Sequence, residues 1–110
     1  MERQTDHERF WGVADEFIAS GRVEKGTMMG HHCLRATLTG GFVATVDRST
    51  GDLVVKLPRQ RVEELVASGD GLPFAPGGKT FREWVQIPTY DADEWAQLID
   101  NSIAFVADHA

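Results

Sequence analysis

Phe10, Val13, Ala14, Phe17 and Ile18 recur at intervals of three and four, which predicts an amphipathic helix near the N-terminus, with Thr5 and Glu8 in capping-box spacing at its start. Gly21 is placed to end it, because the residue past a helix terminus often needs positive φ. From Arg22 the period changes. Cys33 to Leu38 alternates, with Leu34, Ala36 and Leu38 on one side and Cys33, Arg35 and Thr37 on the other, as a half-buried strand requires. Thr39-Gly40-Gly41 reads as a hairpin turn, Phe42, Ala44 and Val46 alternate in a second strand, and Asp47 to Asp52 forms another turn before Leu53, Val55 and Leu57. Connections this short join antiparallel neighbours, so these three strands meander.

Pro58 suits the first turn of a second helix carrying Val62, Leu65 and Val66 and stopped by Gly69. Asp70 to Gly78 is a Gly- and Pro-rich loop that Leu72 and Phe74 are expected to pin onto the core, and Phe81 to Ile87 reads as a late strand stopped by Pro88. Asp91 and Glu94 then cap a last helix whose Trp95, Leu98, Ile99, Ile103 and Val106 keep helical spacing. The order predicts an α+β protein: two layers, a mainly antiparallel sheet of four or five strands, and three helices on one face.

Composition narrows the classes. A chain of 110 residues, 42% hydrophobic and 25% charged, has the make-up of one folded domain spanning 1–110. Eleven Lys and Arg against 17 Asp and Glu give a net charge of -6, which disfavours a nonspecific grip on nucleic acid or anionic membrane. No apolar stretch approaches the about 18 residues of a membrane span, the N-terminus is too polar for a signal peptide, and the single Cys33 suits a reducing compartment, so a cytoplasmic protein is expected.

Thr27-Met28-Met29-Gly30-His31-His32-Cys33-Leu34-Arg35, followed by Gly40-Gly41-Phe42-Val43-Ala44, Leu53-Val54-Val55-Lys56-Leu57-Pro58 and Arg82-Glu83-Trp84-Val85, resembles the small bacterial proteins related to MmcQ and YjbR and to the N-terminal domain of the competence regulator TfoX. The resemblance spans most of the chain. It implies a secretion-chaperone-like two-layer fold, and it brings the DNA-binding or competence-related label that such proteins commonly carry; fold-level analogy of this kind is an associational argument for function.

The densest local chemistry is Met28 to Cys33. Neighbouring strand residues point to opposite faces, so His31 and His32 are not placed to share a metal, whereas His31 and Cys33 are; two ligands are too few for a closed zinc site. A nucleophilic Cys33 would need a His and an orienting group, with His31, His32 and Asp47 as candidates, while free Cys is more often a buried, inert thiol. Met29, His31 and Cys33 are therefore a candidate pocket for a small-molecule binder or enzyme. The Gly-rich run from Gly69 to Lys79 is no Walker motif, since no Gly-Lys-Ser or Gly-Lys-Thr opens a helix there. The acids Glu63-Glu64 and Asp91-Asp93-Glu94 are explained by helix N-termini rather than by acid-base chemistry. Trp11 and Trp95 fall at helical positions that pack in or around the core.

Strand alternation puts Arg35, Lys56 and Arg82, with Val43, Val54 and Trp84, on the sheet face away from the helices. A mixed cationic and apolar face on an acidic chain is the candidate interaction face, Trp and Arg being the residues most enriched in binding hot spots. The competing reading is long stems covering a sheet, or Trp84 buried under the Pro-Gly loop. The leading expectation is a noncatalytic regulatory or protein-interaction module, without cofactor, metal or membrane, that meets a protein partner or a second copy. The alternative is a nucleic-acid-binding regulator, for which Arg35, Lys56, Arg59, Arg61 and Arg82 are the available cations.

Overall fold

The stretch after Gly21, whose Glu24, Lys25, Gly26 and Thr27 show little apolar alternation, is a full strand in the computed structural model, which describes residues 2–28 and 31–108. This strand, β1 (Val23–Met28), pairs antiparallel along its length with β2 (His31–Ala36). Only Val23 of its described side chains is buried, so the ladder and not an apolar stripe defines the element. β3 (Phe42–Val46), β4 (Leu53–Lys56), β5 (Leu72–Pro73) and β6 (Trp84–Ile87) complete an antiparallel sheet in the order β1-β2-β3-β4-β6-β5. The α+β class holds, with six strands instead of four or five, because β1 and the two-residue β5 are edges with too little apolar pattern to announce themselves.

Three helices cover one face. α1 (Glu2–Ala19) lies over β1, α3 (Ala92–Asp108) over β2 to β4, and α2 (Arg59–Ser68) over β5 and β6. The helical backbone begins before Thr5, so Thr5 is not its cap. Its end follows expectation: Gly21 has φ of 80° and donates its N–H to the Ile18 carbonyl. Gly69 closes α2 in the same left-handed conformation, and Pro58 stands at the N-cap position. At α3, Asp91 accepts the Glu94 N–H at 3.0 Å through its carboxylate and the Trp95 N–H through its carbonyl. Glu63 and Glu64 lie mid-helix in α2, not at its N-terminus; they face Arg59 at 3.2 Å and Arg61 at 3.6 Å, one turn away.

Leu34, Ala36, Ala44, Val46, Leu53, Val55, Val85 and Ile87 point to the helices and meet Phe10, Leu65, Trp95, Leu98 and Ile99 in one core. Two strand readings are overturned there. Leu38 belongs to the β2–β3 turn and is 95% exposed. In β3 the pairing slips: Leu34 opposes Ala44, but Arg35 opposes Phe42, so Val43 is an extra residue. The bulge turns Val43 into the core, where it is fully buried, and leaves Phe42 on the other side. The Ser102 hydroxyl of α3 donates to the Val43 carbonyl at 3.0 Å and holds this irregular backbone against the helix.

Candidate interaction face

Alternation that sends Leu34, Ala44, Val55 and Val85 inward sends their neighbours outward, and the register aligns Gly26, Cys33, Thr45, Val54, Gln86 and Leu72 across all six strands. Among the described residues, the helices pack on the opposite side. Its central positions are nevertheless shielded: Val54 is 1% exposed, and Cys33 and Thr45 are buried. Small residues form the floor of the face, and the longer side chains of the flanking positions stand over it.

Arg35 shows how that shielding is made. Its stem runs across Gly26, where a Cβ would collide with Arg35 Cγ and Cδ. Nε donates to the Gly40 carbonyl at 2.9 Å, and the guanidinium lies 5.6 Å from the Phe42 ring centre. Arg35 thus ties the β2–β3 turn to the sheet and is half-buried. Cys33 lies below it. Burial pushes the Cys33 thiol above its ordinary value, a rise only partly countered by the Arg35 charge and a backbone hydrogen bond from Gly26. A desolvated thiol with a raised pKa is the opposite of an activated nucleophile.

The two histidines diverge as alternation requires. His31 is on the outer side, with Nδ1 3.4 Å from Arg48 Nη1, while His32 approaches the edge of Trp11 at 6.4 Å between ring centres. Met29, the remaining member of the candidate pocket, lies outside the described residues. Among the described residues no group of three His, Cys, Asp or Glu side chains could hold a metal ion, and no helix is long and apolar enough to cross a membrane.

The face opens at its β4–β6–β5 end. Lys56 and Trp84 are direct partners across β4 and β6, and both are half-buried. Gln86 turns aside to donate to Asp52 at 2.8 Å. Trp84 meets Phe74 at 6.4 Å, and Phe74 meets Phe81 at 6.0 Å between ring centres. The Phe81 N–H donates to the Phe74 carbonyl at 2.9 Å and closes the Gly-Pro loop at its neck. Leu72 and Phe74 therefore extend the outer face instead of pinning the loop to the core; Leu72 is 47% and Phe81 39% exposed. Arg82 is exposed in the turn entering β6, not on the strand, and Lys79 Nζ lies 5.9 Å from the Phe81 ring centre.

Of the six candidate face residues, Lys56 and Trp84 lie together at this open end with Arg82 beside them in sequence, Val54 is floor, Arg35 is a structural tie, and Val43 is core. Sequence reasoning missed Leu72, Phe74 and Phe81. Their signal was three large apolar residues within or just after a stretch rich in Gly and Pro. No family model, no curated protein and no solved structure matches the chain.

Proposed function

We propose that this protein is a noncatalytic interaction module, related in kind to the TfoX N-terminal and YjbR group, that works through the helix-free face of its sheet. The observation that carries this reading is the open patch formed by Trp84, Phe74, Phe81 and Leu72 beside Lys56. Helices bury the opposite face completely enough to make a core, so stability does not require a second layer of aromatics. Leu72 and Phe81 are exposed and lie beside the half-buried Phe74 and Trp84, and exposed apolar side chains at a contiguous site are the ordinary signature of a surface that another molecule covers.

The nucleic-acid reading draws less support. Arg59 and Arg61 stand on α2 with glutamates at ion-pair distance, and Arg35 is committed to Gly40 and Phe42, which leaves Lys56 and Arg82 of the five cations named for a nucleic acid. The enzyme reading rests on Cys33 and His31, and the desolvated thiol offers it little.

The double variant Arg82→Ala/Trp84→Ala tests the proposal against Leu38→Ser, which changes an exposed apolar residue elsewhere. Self-association by sedimentation velocity and partner capture should be lost in the double variant and kept in Leu38→Ser, with both melting cooperatively. Retention of both properties in a folded double variant sinks the reading.

A further inference from the structure

Resting on that reading, we infer that the β4–β6–β5 end of the open face docks an acidic peptide segment bearing spaced aliphatic or aromatic residues. The first ground is charge. The chain carries -6 overall, yet no acid occurs between Leu53 and Val62, where Lys56 stands; Lys79 lies against Phe81, Arg82 follows Phe81 in sequence, and the acids nearby are Glu83, next in sequence, and Asp52, which accepts from Gln86. Acids elsewhere, such as Asp15, Glu16, Asp93 and Glu94, are exposed on the helical layer. An acidic segment is repelled by the acidic helical layer and attracted at this patch, which also offers apolar contact and so gives orientation as well as affinity.

The second ground is the geometry of the rings. The Phe74 and Phe81 planes are inclined at 38°, and those of Phe74 and Trp84 at 50°. The rings pack on one another into a continuous apolar surface instead of standing as separate platforms between which bases could stack. Side chains of a peptide fit such a surface better than a run of nucleobases does. The third ground is the sheet edge: β5 has two residues and one of them is Pro73, so strand addition at this end is blocked and the occupant lies on the face.

The test uses the purified full chain and two fluorescent peptides of about 14 residues, one of alternating Glu/Asp with spaced Leu and Phe and one with Lys replacing every acid, by anisotropy. The acidic peptide should bind saturably and more weakly as salt rises, and the Lys peptide should not bind. Lys79→Glu/Arg82→Glu, a pair of exposed positions whose change spares the core, should weaken binding by roughly tenfold or more while keeping the native melting curve. Phe81→Ser should weaken it too. Absence of saturable binding of the acidic peptide, equal binding of the Lys peptide, or tighter binding of oligo-dT than of the acidic peptide would each overturn the inference. If the native chain self-associates or captures a partner through Trp84 while the acidic peptide fails, the acidic specificity falls and the interaction face stands; if Arg82→Ala/Trp84→Ala also changes nothing, both fall.

Discussion

Cys33 is buried beside Gly26 and Thr45 with the Arg35 charge near it, and desolvation dominates its ionisation. The sign of the consequence follows from linkage. The unfolded chain begins to lose the thiol proton near the ordinary value of 9.0, whereas the folded chain holds it to higher pH. Cys33 therefore has no effect on the pH dependence of stability at neutral pH and erodes stability as pH rises from that ordinary value toward its raised one. Urea midpoints compared between pH 8 and pH 10 should fall more in the native protein than in Cys33→Ala, and the native thiol should react with an aromatic disulfide far more slowly than the urea-unfolded one. A thiol titrated as fast as in the unfolded chain would contradict the burial. Residue type alone favours a buried thiol, and Cys33 is buried; what residues 31 to 35 do not show is its cover, the Arg35 stem crossing Gly26 of the neighbouring strand.

Among the elements, β3 carries the main departure from simple alternation. Phe42, Ala44 and Val46 read as one face of a strand, yet the bulge between Leu34 and Arg35 on one side and Phe42 to Ala44 on the other sends Phe42 outward and Val43 inward. Ser102 is a polar residue in the buried stripe of α3 because that bulge presents it with the Val43 carbonyl. Ser102→Ala should lower the unfolding free energy by about 1–2 kcal/mol, through loss of a buried donor, whereas an exposed serine such as Ser49 changed to Ala should cost less. Chemical denaturation with unchanged slope is the measurement, and equal effects at the two sites would refute the role given to Ser102. The cap at Asp91 is a more local device: Asp91→Ala should cost about 1 kcal/mol by the same measurement.

On the scale of the whole molecule, the layer arrangement assigns opposite roles to two tryptophans. Trp95 is 1% exposed, donates its indole N–H to the Thr89 carbonyl at 3.0 Å and packs in the core, while Trp84 is half-buried on the opposite face of the sheet. Trp95→Ala should cost about 3–5 kcal/mol and Trp84→Ala clearly less, since the latter leaves no enclosed cavity. Matching losses would place Trp84 in a core and remove the basis for the interaction face. The same division sorts charge. The exposed acids of α1 and α3 make one side acidic, and the open end of the sheet carries Lys56, Lys79 and Arg82, so the net charge of -6 averages two unlike surfaces.

Three helices, their caps at Gly21, Gly69 and Asp91, and the turns that join β2, β3 and β4 can all be read along the chain, because spacing, capping and turn chemistry act within a few residues. That Lys56 and Trp84 share an outer face is legible for the same reason, strand alternation being local. The pairing of β1, the bulge that buries Val43, the stem of Arg35 over Gly26 and the meeting of Phe74 and Phe81 with Trp84 are not. Each depends on which strand lies beside which and in what register, and that is decided only when residues distant along the chain compete for one core.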